Sequence, residues 1–486
     1  MTDMTTQRSH THRVQQWSQH LTRLRVVVVA LLDCVVVLYT VALGVALFTG
    51  GIDLGWLSIG ETSKPLLVLL ILLPIRLAVR QTWWLTERAH RAWAALTPSW
   101  TALTAHVPAA VRDVAFALLV SRLAIVVVAL FMNLLFPPAR PRPWAVPFTR
   151  NQLFEVFAAW DSGWYFDIAR RGYYYVEGGQ SSVAFFPLYP LTMRAIAWFF
   201  GSSERAVWGA GVAISFVAAL AALLVLHRLT ERLFHDRETA RRTVLYLAIF
   251  PFSFFIGTVY PTALFLLLTT LAVSAGYGSR WWLAGLVAGL ATVTRPNGIL
   301  IGIPLGLLAL RGASLDQVAY RLMALAPIPL SLLAYSLYVD SLAGDPLAWL
   351  HSQSEWGYSL GRAPWKGLLT LMQALESKGL EGYVASSEFA PFRLFHGTVA
   401  LLVLMITPAV FRRLGAPLGA YVLVSVLVPL TSNALEGIGR YATGLFPVFM
   451  VLGSLRQPRL HEALLIVWPM FLVLFLGLFV TWHPIY

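Results

Sequence analysis

Long apolar runs alternate with short polar stretches along almost the whole chain. Runs near the roughly 20 residues needed to cross a bilayer as helix lie at 26–48, 65–80, 114–136, 206–226, 243–259, 262–279 and 281–294. They continue at 298–311, 321–341, 396–411, 416–432, 441–455 and 462–481. This pattern predicts an all-α polytopic membrane protein of about 13 transmembrane helices. One more apolar segment, 184–201, is short, is broken by Pro187 and Pro190, and carries Arg194.

Loop charge decides how that segment counts. With the N-terminus in the cytoplasm, treating 184–201 as a span would place His227–Arg242, with its arginines, outside. Treating it as an outward-facing re-entrant or interfacial piece puts that loop inside. Arg280, Arg311, Arg321, Arg412, Arg413, Arg456 and Arg459 then fall inside with it, leaving Lys64 and Arg440 in the short outer connections. This is the positive-inside asymmetry, and it predicts a multi-pass protein of the cell membrane with a cytoplasmic N-terminus. Two long loops, 137–205 and 342–395, then face the extracytoplasmic side. Residues 1–112 read as an N-terminal extension with two spans, and 113–486 as the main membrane domain. In 81–112, Trp83, Trp84, Trp93 and Trp100 lie among Arg88, His90 and Arg91, the pattern of a cytoplasmic interfacial helix.

Composition agrees: 58% of the 486 residues are hydrophobic and 12% charged, against roughly 25% charged in soluble proteins. The formal charge of +13 is spread over short loops, which fits membrane orientation and excludes a nucleic-acid patch. The only lysines are Lys64, Lys366 and Lys378, and this arginine bias reads as a GC-rich bacterial genome. Cys34 is the single cysteine, so no internal disulfide can form. The polar first 25 residues lack the apolar core of a secretory signal and read as a cytoplasmic tail.

The chemistry concentrates at the outward ends of the spans. Five polar or aromatic stretches map to that side: the loop around Asp161, Tyr260-Pro261-Thr262, Thr294 to Gly298, Gln353 to Trp356, and Glu436 to Tyr441. Irregular backbone at membrane depth survives only in protein or along a cavity, so the convergence predicts one outward cavity. Asp161 has two readings. It is either a helix N-cap or the working carboxylate of an enzyme. Glu155 and Asp167 are the nearby acids. On a continuous helix Asp167 lies about 240° around the axis from Asp161, so the two should not share a face. Glu177 reads as solvated. Arg295 and Arg440 either snorkel to the interface or clamp a phosphate with their planar guanidiniums. Arg122, deep in its span, is expected to form an internal pair, and Asp33 to find an arginine. No Asp-x-Asp, Walker, His-Glu-x-x-His or Cys/His metal motif occurs. A metal-bound nucleotide sugar is thereby disfavoured, no metal or other cofactor is called for, and a lipid-phosphate donor fits better.

The stretch Trp160 to Tyr173, followed by Ala184 to Pro190, is similar to the first-loop signature of the GPI mannosyltransferase II (PIG-V-like) family and its bacterial relatives. Later pieces occur in the family's order over residues 114–481: Tyr260 to Phe265, Thr294 to Gly298, Gln353 with Trp356, and Gly439 to Tyr441 before Phe446-Pro447. The chain departs from the family where Pro261-Thr262 replaces the usual acid, and residues 1–112 have no counterpart. The resemblance implies a type C glycosyltransferase fold, a polyprenyl-phosphate sugar donor, and an essential acid at the position of Asp161.

On that basis Asp161 is the expected catalytic base. Trp160, Trp164, Tyr165, Asp167, Tyr260, Arg295, Gln353, Trp356, Arg440 and Tyr441 are the expected substrate-binding residues. The expected reaction moves mannose, with inversion, to a lipid or glycan hydroxyl. Membrane lipids and these two substrates are the only partners implied. The competing readings are a lipid-linked sugar flippase and an inactive partner subunit of such an enzyme.

Overall fold

The computed structural model describes residues 28–29, 31–36, 39–40, 52–53, 58–59, 68–69, 71–72, 75–76, 107–136, 139 and 156–483, except 359–360, 388, 433–434 and 436. The chain forms two compact units. One comprises Met1–Pro108 with Arg150–Leu153, the other Ala109–Thr149 with Phe154–Tyr486. The interfacial helix expected at 81–112 lies almost wholly outside the described residues, as do Glu155 and Glu436.

In the first unit, Asp33 meets Arg76 in a buried ion pair, the partnership expected of a lone acid in an apolar run. Two strands of two residues each, β1 (Ile52–Asp53) and β2 (Ser58–Ile59), pair antiparallel there.

The second unit is helical. Among the described residues, five helices are long and apolar enough to cross a membrane: Ala109–Leu135, Glu204–Phe234, Leu315–Ala343, Ala390–Leu430 and Pro458–Val480. Of the thirteen spans expected, the runs 26–48 and 65–80 lie largely outside the described residues, 396–411 and 416–432 fall within one helix, and proline and glycine cut several others into short helices. The run 243–259 gives a helix only over Arg237–Ile249. Pro251 then forces a break, and a 3-10 turn follows at Ser253–Ile256. The runs near 262–311 form Thr262–Tyr277, Trp281–Thr292 and Pro296–Ala309, each shorter than a span.

Other segments also depart from simple spans and loops. The helix Ala390–Leu430 is interrupted at Gly415, whose φ of 83° is left-handed, so the chain turns there between the two runs expected at 396–411 and 416–432. The segment 184–201 folds as a short turn and an 11-residue helix, Leu188–Trp198. At 1.5 Å per residue it is about 17 Å long, short of a hydrocarbon core of about 30 Å. The expected loop 342–395 is not irregular throughout, since Lys366–Val384 is helical with a kink at Gly379.

The helix labelled here α1, Glu204–Phe234, is the spine of this unit. Ser203 caps it, accepting from the Ala206 amide at 3.2 Å, and 31 residues carry it about 46 Å. Its buried Ala210, Gly211, Ala218, Ala219 and Ala222 let Thr262–Tyr277 pack closely, as small residues do between membrane helices.

Candidate functional site

The site is built at the end of α1 that begins with Glu204. The helix Ser162–Arg171 lies against it, with Phe166 stacked on Trp208 at 4.5 Å and Arg170 paired to Glu204. Asp161 occupies the N-cap position of that short helix, yet its side chain makes no capping hydrogen bond. Instead Oδ2 accepts from Arg440 Nη1 at 2.6 Å, a contact between residues 279 apart in sequence. The capping reading is therefore not realised.

Tyr260 fixes the backbone on either side of Trp160, just before this acid. Its hydroxyl accepts from the Asp161 amide at 3.0 Å and donates to the Ala159 carbonyl at 3.1 Å. Tyr260 is fully buried, and its position follows from the break after Pro251, which delivers residues 253–260 to this end of the unit. Arg122 holds that break. It donates to the carbonyls of Ala248 (3.0 Å) and Ser253 (2.8 Å), which helix hydrogen bonding would leave unpaired. Its expected internal pairing thus turns out to be with backbone oxygens rather than an acid, since unwound backbone inside a helical bundle has the greater need of partners.

Arg440 sits over the rings of Tyr260, Phe255 and Tyr441 at 5.5, 5.6 and 5.8 Å. Arg295 lies over the other neighbours, 5.2 Å from the Tyr441 centroid and 5.7 Å from that of Phe265. The Arg295 side chain is buried, and its Nη1 has no hydrogen-bond partner among the described residues. Two guanidiniums thus flank one tyrosine ring, and among the described residues Asp161 is the acid paired with either of them. Burying a charge without a partner is costly, and the aromatic faces recover only part of the cost, about 0.5–2 kcal/mol each. The Arg295 turn is locked by Gly298. A Cβ at 298 would come 2.1 Å from the Ala291 carbonyl oxygen, so no side chain fits between this turn and the helix end at Thr292.

The remaining candidates divide. Trp164 stacks on Phe185 at 5.2 Å and meets the edge of Trp356 at 5.5 Å, forming an aromatic wall one helical turn from Asp161. Gln353 donates to the Ala184 carbonyl at 3.3 Å and ties the 352–356 turn to that wall. Tyr165 is buried among Phe185, Tyr189 and Tyr260. Burial first, then the Asp161 charge, pushes its phenol well above the usual range, so it stays protonated. Asp167 points elsewhere, 3.9 Å from Arg171, as the 240° spacing required. Burial raises its carboxyl against the pull of Arg171 and Arg170. Trp160 does not join the Trp164 wall. Its ring packs on Trp482 at 5.2 Å and its Nε1 donates to the Phe479 carbonyl at 3.2 Å. Phe255 is not among the sequence candidates, and its only signal is the phenylalanine-rich stretch just upstream of Tyr260. Among the described residues no three His, Cys, Asp or Glu side chains gather as a metal site.

Residues 111–310 match the family model described as Mannosyltransferase (PIG-V). That stretch contains Asp161, Tyr260 and Arg295 but not Arg440. GPI mannosyltransferase 2 of Yarrowia lipolytica is 29% identical over 157 residues, covering 32% of this chain and 42% of that protein. GPI mannosyltransferase 2 of Drosophila pseudoobscura pseudoobscura is 26% identical over 219 residues, covering 39% and 47%. GPI alpha-1,6-mannosyltransferase 2 of Rattus norvegicus is 31% identical over 163 residues, covering 31% and 32%. The chain thus spans less than half the length of each of these relatives. Among solved structures, the apo oligosaccharyltransferase of Archaeoglobus fulgidus superposes with a TM-score of 0.39 at 13% identity, covering 75% of this chain and 56% of that one.

Proposed function

We propose that this protein is a membrane mannosyltransferase of the PIG-V kind, moving mannose from a polyprenyl-phosphate donor to an acceptor hydroxyl at the extracytoplasmic face. The observation that carries the reading is the coupling of Asp161 to Arg440 beside a buried Arg295 whose Nη1 has no hydrogen-bond partner among the described residues. The match over residues 111–310 supports the reaction class. The orientation rests on charge. Arg232, Arg237, Arg242, Arg413 and Arg456 gather at the far end of α1 through contacts to Tyr277, Asp113, Leu455, Ser454 and Asp236. An arginine-rich end of that kind belongs on the cytoplasmic side, which leaves Asp161 on the other.

In the reaction, Asp161 takes the proton of the acceptor hydroxyl. Oδ2 is held by Arg440, and Oδ1 accepts no hydrogen bond from any described residue, so Oδ1 is the basic atom. The acceptor oxygen forms its bond to the anomeric carbon from the face opposite the phosphate. The bond from that carbon to the phosphate oxygen breaks, its electron pair leaves with the lipid phosphate, and the configuration inverts. Arg295, buried and with an Nη1 that no described residue hydrogen-bonds, stabilises that developing anion. Trp164 and Trp356 offer faces for sugar rings, and the isoprenoid tail leaves between helices.

The test supplies radiolabelled polyprenyl-phosphate mannose and a native lipid extract to membranes holding the wild type or Asp161→Asn. General-base assistance contributes typically about 10²–10⁴-fold, so label should move into a new product with the wild type and fall by at least that factor in the variant. Wild-type turnover in Asp161→Asn would sink the assignment. Donor binding with no transfer by either protein would favour the flippase or inactive-partner reading, and Pro261-Thr262 would be examined next.

A further inference from the structure

Trp160 and Trp482 are two of the few non-glycine residues here with left-handed backbone, at φ 58° and 59°. For a bulky side chain this is a genuine outlier, and such outliers persist only where the surroundings impose them. At Trp160 the Tyr260 hydroxyl holds the flanking Ala159 carbonyl and Asp161 amide, and the two tryptophans hold each other. Their rings pack at 5.2 Å, and one carbonyl, that of Phe479, accepts both the Trp160 indole at 3.2 Å and the Trp482 amide at 3.3 Å. The end of the last helix, Pro458–Val480, is fastened in turn by the Ala139 amide, which donates to the Thr481 carbonyl at 2.8 Å. Trp482 is buried, and Phe479 completely so, beneath Tyr260 and Phe255.

The left-handed residue immediately precedes Asp161. A left-handed turn at 160 reverses the direction in which the chain enters the helix Ser162–Arg171. Asp161 then has helical backbone (φ −59°, ψ −13°) instead of the extended backbone of a capping residue. The first amides of its own helix donate instead to the carbonyls of Ala159, Trp160 and Asp161, which leaves the carboxylate to Arg440. We propose that Trp482 is a positioning residue for Asp161, acting through the Trp160 backbone, so that the C-terminal helix end sets the aim of the candidate base. This rests on the reading of Asp161 given above.

The experiment uses the full-length protein in detergent with polyprenyl-phosphate mannose, measuring kcat, donor KM and thermal unfolding. Trp482→Ala should lower kcat tenfold or more with donor KM within twofold of wild type, and Trp482→Phe should recover most of the loss. At position 160, glycine adopts left-handed φ without strain whereas alanine does not. Trp160→Gly should therefore retain severalfold more kcat than Trp160→Ala, although both remove the same ring. Packing alone would make glycine equal to alanine or worse, and that result overturns the inference, as does an unchanged kcat in Trp482→Ala. If Trp482→Ala fails to fold, the glycine–alanine comparison decides the matter. Asp161→Asn separates the two failures. Loss of transfer in that variant beside normal kcat in Trp482→Ala overturns only the positioning role, while retained transfer in Asp161→Asn overturns both.

Discussion

The two ends of α1 use the same chemistry in opposite ways. At the far end, Asp113 receives Arg237 through two bonds of 3.1 Å, Glu238 receives Arg241 and Arg242 at 2.8 and 2.9 Å, and Asp236 receives Arg456 at 3.2 Å. Those arginines are mostly exposed, at 47%, 42%, 21% and 81%, and water does much of the solvating. At the Asp161 end the carboxylate and Arg440 are 18% and 14% exposed, and Arg295 is buried with no ion pair to an acid among the described residues. Exposed pairs contribute about 0–1 kcal/mol. A desolvated guanidinium has a large free energy still to gain from an anion. The difference between the ends lies in the exposure and pairing of the guanidiniums among the described residues, not in residue type, and it fits the proposed division between an orienting end and a binding end.

Breaking Arg440 tests the contrast most severely. Arg440→Met leaves Asp161 without its partner, and removal of one member of a buried pair costs about 3–5 kcal/mol. Transfer should fall at least 100-fold and the melting temperature should drop. The matching Arg241→Met at the far end, whose pair with Glu238 is exposed on both sides, should cost about 1 kcal/mol or less. Equal destabilisation by the two, read from thermal unfolding in one detergent, would erase the distinction.

Arg295→Met sharpens it further. Because its buried Nη1 has no hydrogen-bond partner among the described residues, the variant should unfold at a higher temperature than wild type while donor affinity falls about tenfold or more. A variant that is less stable and binds normally would mean that Arg295 serves the fold.

The smallest effect is expected at Glu238. Hydrogen bonding from Arg241, then Arg242, holds its carboxyl down at about 2, against about 4.3 when unfolded. A lowered folded value stabilises above the unfolded one, so this contribution is present at neutral pH and disappears as pH falls from about 4.3 toward 2. Its exposure keeps the effect small. Glu238→Gln should leave transfer unchanged and flatten only the acid side of a stability profile measured by thermal unfolding.

Much of this is legible in the residues alone. Loop charge sets Asp161, Tyr260, Arg295, Trp356 and Arg440 on one side, and they are near neighbours in the fold. The turn near 415 is readable too, because a glycine lies between two apolar runs. Other features depend on contacts that no local pattern encodes. Pro251 inside an apolar run announces a break, but not that Arg122, far earlier in the chain, satisfies the freed carbonyls. The Asp161 stretch is a good capping sequence, and only the left-handed turn at Trp160 redirects the side chain. The helix Lys366–Val384 reads as loop because no long apolar run marks it.

Gly298 has a further consequence, for variation rather than for chemistry. It has no side chain, touches no substrate in the proposed reaction, and carries no charge. Even so, the Ala291 carbonyl stands where its first carbon would go, and the turn that presents Arg295 closes over that contact. A saturation survey of this chain should find position 298 as intolerant as 161 or 295, with alanine there already harmful. Ranking positions by tolerance would thus place a residue with nothing to contribute but room beside those that bear the charge.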